Sequence, residues 1–212
     1  MNVAGDWLVA LGNNTLALWP GGDTAKSRTI GGGFGGVRHT LSPDGHWIAV
    51  AHRMAGAIRI VDAQRGEVVQ ELAGGSLALR NAVPRAWFTS DGKRLLTSNR
   101  QCFQLWETGS WKELHSWPVV AEAESPGAAA VSPDGKLAAL EIAPDVFQLT
   151  DLATGSCLVN LRPPTTLGAA VAAFTPDGEQ FCIAGAGPKI YRWNLAALRR
   201  ELSAAGLDWQ NR

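Results

Sequence analysis

Ser42-Pro43-Asp44-Gly45, Thr89-Ser90-Asp91-Gly92, Ser132-Pro133-Asp134-Gly135 and Thr175-Pro176-Asp177-Gly178 are four copies of one turn. Their first residues stand at 42, 89, 132 and 175. A recurrence of this length marks a repeat architecture, in which one unit cannot bury its apolar face alone and neighbours must stack to do so. The turn has a mechanism. Ser or Thr opens it, Pro presets the backbone angle of the second position, Asp hydrogen-bonds locally, and Gly takes the left-handed conformation that closes it. Such a turn joins two antiparallel strands.

A second signature follows each turn: Ile60-Val61-Asp62, Leu105-Trp106-Glu107, Leu149-Thr150-Asp151 and Arg192-Trp193-Asn194. Each ends a short alternating run such as Ala57-Ile58-Arg59-Ile60-Val61, the pattern of a strand with a buried face. Between turn and signature lies another strand, for example Trp47–Val50 or Arg94–Thr97. After three of the signatures, a turn containing Gly66, Gly109 or Gly155 leads to a further strand, such as Glu67–Leu72. Each unit is therefore four short strands.

Four strands per period, with a Trp-acidic pair closing the third, is the pattern of a propeller blade. Over residues 1–194 the chain resembles the WD-repeat family of β-propellers. The departures are specific. No Gly-His dipeptide precedes a turn, only Trp106 and Trp193 keep the tryptophan in the four full repeats, and neither is followed by Asp. Loops between second and third strands, such as Asn99-Arg100 and Gly187-Pro188, lack the Asp that completes the family's hydrogen-bond network.

The expected architecture is all-β, an open or partial propeller of about five blades with a short C-terminal helix. The blades are expected over 1–30, 31–73, 74–119, 120–162 and 163–194, with the helix and tail over 195–212. Trp19 occupies the third-strand position of the earliest blade. Counting back from it places Asn2-Val3-Ala4-Gly5 at the turn and Trp7–Ala10 on the second strand, so this blade is expected to lack its inner strand. A domain that starts inside a hairpin leaves an unpaired apolar edge, which points to the C-terminal portion of a longer protein. The last blade is expected to lack its outer strand. In its place Leu195–Gly206 reads as an amphipathic helix with Leu195, Leu198 and Leu202 on one face, Asn194 as cap and Gly206 as stop. This ending is similar to the C-terminal part of bacterial, planctomycete-like WD-repeat proteins. The resemblance implies a regulatory scaffold whose propeller can follow a serine/threonine kinase domain.

Composition narrows the function classes. The chain has 212 residues, 46% of them apolar, and 24 glycines, which suits an all-β chain rich in turns. Lys and Arg number 19, as do Asp and Glu, so attraction to nucleic acid or an acidic membrane has no net source. No run approaches the length of a membrane span. Cys102, Cys157 and Cys182 are scattered without metal spacing, which suggests buried thiols in a reducing, cytoplasmic compartment.

Candidate chemistry is sparse. The inner strands Gly127–Val131 and Gly168–Phe174 are small and apolar and carry no carboxylate, against the Asp/Glu pair that a glycosidase-type propeller needs. Gly31–Gly36 matches a dinucleotide glycine pattern, but no helix follows it. His39, His46 and His52 share a hairpin without a carboxylate or Cys to complete a metal site. Asp44, Asp91, Asp134 and Asp177 repeat at one local position and read as turn formers. The expectation is a protein that is not an enzyme and has no cofactor. What remains is recognition by loops on one rim, where Arg80, Asn81, Arg85, His52, Arg53, Asn99 and Arg100 depart from the repeat. Arginine pairs bidentately with carboxylates and phosphates, so the expected partner is a protein or peptide that is acidic or phosphorylated. Self-association through open blade edges is the accompanying expectation. The alternative is a self-contained five-bladed propeller with a small-ligand or hydrolase site.

Overall fold

The computed structural model describes residues 2–4, 7–11, 15–20, 23–31, 36–52, 57–72, 84–99, 101–120, 127–167, 171–185 and 187–206. Among them the chain forms antiparallel sheets with strands in chain order, and it divides into two compact units, Met1–Pro126 and Gly127–Arg212.

The first unit holds three sheets. Sheet 1 is β1 (Asn2–Ala4), β2 (Trp7–Leu11), β3 (Thr15–Pro20) and β4 (Arg28–Gly31). Sheet 2 is β5 (Gly36–Leu41), β6 (Trp47–His52), β7 (Ala57–Asp62) and β8 (Glu67–Leu72). Sheet 3 is β9 (Arg85–Phe88), β10 (Arg94–Ser98), β11 (Cys102–Glu107) and β12 (Glu113–Pro118). Within this unit β1 neighbours β5 and β5 neighbours β9. The second unit holds sheet 4, made of β13 (Ala129–Val131), β14 (Leu137–Ala143), β15 (Val146–Asp151) and β16 (Cys157–Leu161), and sheet 5, made of β17 (Val171–Phe174), β18 (Gln180–Ala184) and β19 (Ile190–Asn194). Here β13 neighbours β17. Helix α1 (Leu195–Ala204) follows β19.

One expectation fails in sheet 1. Asn2-Val3-Ala4 is a strand and not a turn: Asn2 pairs with Val9, Val3 with Leu8 and Ala4 with Trp7. The other inner hairpins run through a six-residue connection, Leu41 pairing with Ile48 across Ser42–Trp47. Sheet 1 joins Ala4 to Trp7 across two residues, so the inner strand occupies the place that the spacing assigns to the longer turn. The first sheet therefore has its inner strand, and β2 is paired on both sides.

The repeated turn is a small hydrogen-bonded ring. The Ser42 hydroxyl donates to Asp44 Oδ1 (2.5 Å) and accepts the Trp47 N–H (2.8 Å), while Asp44 Oδ1 accepts the His46 N–H (3.0 Å). The same three bonds recur with Thr89 and Asp91, Ser132 and Asp134, and Thr175 and Asp177. Gly45, Gly92, Gly135 and Gly178 close it at φ between 68° and 73°, a conformation that costs glycine little.

The end of the third strand carries a second device. Asp62 Oδ1 accepts the N–H groups of Gln64 and Arg65, and Asp151 Oδ1 those of Ala153 and Thr154. Four residues after each Asp stands a glycine at φ +75°, Gly66 or Gly155, whose N–H closes onto the Asp carbonyl. The chain then turns into the fourth strand. Asn194 makes the equivalent bond to the Ala197 N–H, but Leu198 stands four residues on. In sheet 3 Trp111, at φ 55°, makes the same closure onto the Glu107 carbonyl, so what distinguishes sheet 5 is that Leu198 stays helical: the cap starts a helix, which runs to Ala204 and ends before Gly206 at φ +72°. Sheet 5 accordingly has three strands.

Each sheet is apolar on both faces. On the third strands one face carries Leu16 and Leu18, Ile58 and Ile60, Phe103 and Leu105, or Phe147 and Leu149, all at most 3% exposed. We term this the forward face and its opposite the rear face. In the first unit Leu16 and Leu18 share a cluster with Ile48, Val50 and Val61 of sheet 2. Ile58 and Ile60 share another with Leu95 and Trp106 of sheet 3. In the second unit Phe147 and Leu149 join Phe181 and Ile183 of sheet 5, and Leu195 of α1 joins the same cluster. Each side chain of this size contributes roughly 1.5–3 kcal/mol on full burial.

Polar ties support these contacts. The Arg28 guanidinium donates to the Gln64 carbonyl and, at 2.5 Å, to the Arg65 carbonyl, fastening β4 to the turn after β7. Trp106 Nε1 donates to Thr97 Oγ1 at 2.9 Å in the interior of sheet 3. Thr97→Val keeps the shape and removes that acceptor. It is expected to cost about 1–3 kcal/mol, the desolvation penalty of a buried unpaired donor, read as a lower urea midpoint with an unchanged denaturant slope.

Candidate functional site

The rim at which second strands give way to third strands is the place to which sequence assigns recognition. β6 closes on His52, whose backbone lies opposite Gly36 and Ala57. β10 closes on Ser98, opposite Arg85 at the start of β9, so half-buried Arg85 and Asn99 stand at the same end of sheet 3. Arg53, Arg80, Asn81 and Arg100 lie outside the described residues. Asn99 works locally, its Oδ1 accepting the N–H groups of Gln101 (2.7 Å) and Cys102 (2.8 Å). This bends the chain into β11 and engages the side-chain oxygen.

Two rim carboxylates in the second unit are absent from the candidates that sequence suggests. Glu141 Oε2 accepts the Ala128 N–H at 2.7 Å, while the Glu141 N–H donates to the Ala128 carbonyl at 2.9 Å. Asp145, at φ +59°, accepts the Leu167 N–H through Oδ1 at 3.1 Å. Leu167 is also pressed from sheet 5. A β-carbon on Gly185 would lie 2.3 Å from the Leu167 carbonyl oxygen, so only glycine fits. Asp145 thus pins the β16–β17 connection to the loop between β14 and β15. Its signal is Pro144-Asp145, an Asp in a second-to-third-strand loop of the kind missing at Asn99-Arg100 and Gly187-Pro188.

The carboxylates of the repeated turns are held ionised. Partial burial pulls the Asp44, Asp91 and Asp134 carboxyls upward, but the bonds from Ser42, Thr89 and Ser132, the backbone N–H groups and nearby cationic side chains outweigh it and hold each below the usual range. For Asp177 the Thr175 hydroxyl is the main cause of the same lowering. Asp62 is the most enclosed. Burial raises its pKa, yet the Arg65 and Gln64 N–H groups, with His46 and Arg65 nearby, bring it below the usual carboxylate value. These acids are turn formers in the structure, as their periodic spacing implies.

The remaining candidates do not converge. Across the hairpin His39 lies opposite Val50, while His46 sits in the turn with its ring stacked on Trp47 at 4.2 Å and Nε2 3.6 Å from Asp62 Oδ2. Among the described residues no group of three or more His, Cys, Asp and Glu side chains could hold a metal ion. The thiols differ from the expected buried set: Cys102 and Cys182 are half-buried, and Cys157 is exposed on β16. Among the described residues no helix is long and apolar enough to cross a membrane. Residues 32–35 of the glycine run lie outside the described residues, between β4 and β5.

Repeated four-stranded antiparallel sheets with adjacent inner strands define an all-β, propeller-like fold. Among solved structures the chain is similar to Kuenenia stuttgartiensis hydrazine synthase, with a TM-score of 0.61 and 20% identity over 86% of this chain and 53% of that one. The chain thus spans about half the length of the structure it matches, and the likeness concerns fold. No family model matches the chain, and no curated protein matches it.

Because five Asp carboxyls sit below their ordinary values, their contribution to stability is complete above the unfolded-state value of about 4 and is lost as pH falls through the lower folded values. The urea midpoint is expected to hold steady on acidification to about pH 4 and then drop. Asp62→Asn should flatten the drop and lower the midpoint at neutral pH.

Proposed function

We propose that this chain is a non-catalytic interaction scaffold of the WD-repeat type. In this reading it has about five blades, the last without its outer strand, and binds a protein or peptide on the second-to-third-strand rim. The observation that carries the reading is the engagement of the repeat carboxylates. One oxygen of each turn Asp, and those of Glu141 and Asp145, accepts N–H or O–H donors that shape the backbone. Groups so engaged are poor acid–base catalysts, because proton transfer would break the turn they hold. The sheets serve instead as a rigid base for variable loops.

The ligand class follows from the loop residues. Arg53, Arg80 and Arg100 fall by sequence in the connections that lead onto that rim, and Arg85 starts β9. A guanidinium cluster selects a carboxylate-rich or phosphorylated peptide through bidentate bonds. The test is fluorescence anisotropy with paired acidic and phosphorylated peptide pools. Arg80→Glu together with Arg100→Glu is expected to weaken binding by at least about tenfold, the size of a typical hot-spot loss, with thermal stability unchanged. Equal binding by the charge-reversed and parent chains would remove this assignment.

A further inference from the structure

Three aromatic rings gather at the rim of the repeated turns in the first unit, and each departs from the repeat. His46 follows the glycine of its turn, where Lys93, Lys136 and Glu179 stand in sheets 3 to 5. Trp47 opens β6 opposite Asp62, whereas Arg94, Leu137 and Gln180 open their strands in the same register. Trp111 closes the turn after β11 at φ 55°, where Gly66 and Gly155 serve in sheets 2 and 4. A left-handed backbone is costly for so large a side chain, and such outliers persist where the surroundings or a function hold them.

The departures converge. The His46 ring stacks on Trp47 with centroids 4.2 Å apart, and Trp47 meets Trp111 edge to face at 5.3 Å. Both indoles pack on the cluster that holds Ala49, Ile60 and Leu95, yet they are only half-buried, so part of each stays in water. His46, with 40% of its side chain exposed, is set by Nε2 lying 3.6 Å from Asp62 Oδ2.

The chemistry of this ledge selects its ligand. Trp106 Nε1 has Thr97 as acceptor, whereas neither Trp47 Nε1 nor Trp111 Nε1 has an acceptor among the described residues. The acids of the same turns are directed at the turns themselves: Asp44 and Asp91 take the Ser42 and Thr89 hydroxyls, Asp62 takes backbone N–H groups with Arg65 Nε 3.7 Å away, and Glu107 takes the Ser110 hydroxyl at 2.5 Å. What the ledge offers is ring surface with indole donors, which suits a neutral ligand with flat apolar groups and bare carbonyls. A polyproline II peptide has both, since its pyrrolidine rings pack on aromatic side chains and its carbonyls make no internal hydrogen bond.

We propose that the ledge of His46, Trp47 and Trp111 docks a proline-rich segment of a partner protein in the polyproline II conformation. The ledge lies at the opposite end of β6 from the second-to-third-strand rim and does not rest on the peptide reading there.

Fluorescence anisotropy of labelled decaproline titrated with the full chain provides the test. A saturable rise is expected, with none for a Gly/Ser decamer or for decaglutamate. Trp111→Gly restores the residue that sheets 2 and 4 use, and it should weaken binding by at least about tenfold with the circular dichroism spectrum unchanged. Trp47→Leu, which places there the residue of sheet 4, should do likewise and keeps the test decisive where the first variant unfolds. Arg80→Glu together with Arg100→Glu should leave decaproline binding intact, and a loss there overturns the proposal. So does a parent chain that gives no saturable rise, or equal binding by a folded Trp111→Gly or Trp47→Leu variant. Decaglutamate that binds as well as decaproline also overturns it, by assigning the surface to Lys93 and Lys112.

Discussion

Every sheet of this chain is apolar on both faces, and no single sheet can keep both from water. This constraint sets the rest. Within each unit it makes the forward face of one sheet the complement of the rear face of the next. Phe147 and Phe181 illustrate it, with ring centroids 5.6 Å apart across the join of sheets 4 and 5. Polar ties such as Arg28 to the Gln64 and Arg65 carbonyls align faces that burial already holds together.

The turns make that stacking regular. In each unit the glycine of one turn lies near the proline of the turn before it: a β-carbon on Gly92 would stand 3.6 Å from Pro43 Cδ, and one on Gly178 3.7 Å from Pro133 Cδ. A further regularity is a bulge one residue before the acidic position, between Ile60 and Val61, Leu105 and Trp106, and Leu149 and Thr150. A bulge increases local twist, and its recurrence twists the outer pair alike in sheets 2, 3 and 4.

Much of the fold is legible in the sequence because its instructions are local. The Ser/Thr-x-Asp-Gly copies locate the inner hairpins by their own chemistry, and Asn194 and Gly206 bracket the helix. The inner strand of sheet 1 is hidden because it lacks the repeat's turn: a two-residue connection at residues 5 and 6 breaks the count from Trp19. The bulges are invisible, since they are defined by pairing with a partner strand and not by residue type. Of the rim, Asn99 and Arg85 can be placed from strand length alone. Glu141 and Asp145 cannot, because what they bind, the backbone of Ala128 and Leu167, is set by tertiary contact.

The acidic or amide residue that ends the third strand also bears on how such arrays evolve. Asp62 and Asp151 lead into a fourth strand, and Asn194 leads into a helix, although all three begin with the same side-chain bond to the backbone ahead. What separates the outcomes is whether the fourth residue onward can take a positive φ. Trp111, four residues after Glu107, shows that the mark is a backbone state and not a residue type: at φ 55° it closes onto the Glu107 carbonyl and leads into β12, so a lineage carrying such an array can end or resume its series of sheets by changing the conformation at one position, which glycine makes easiest.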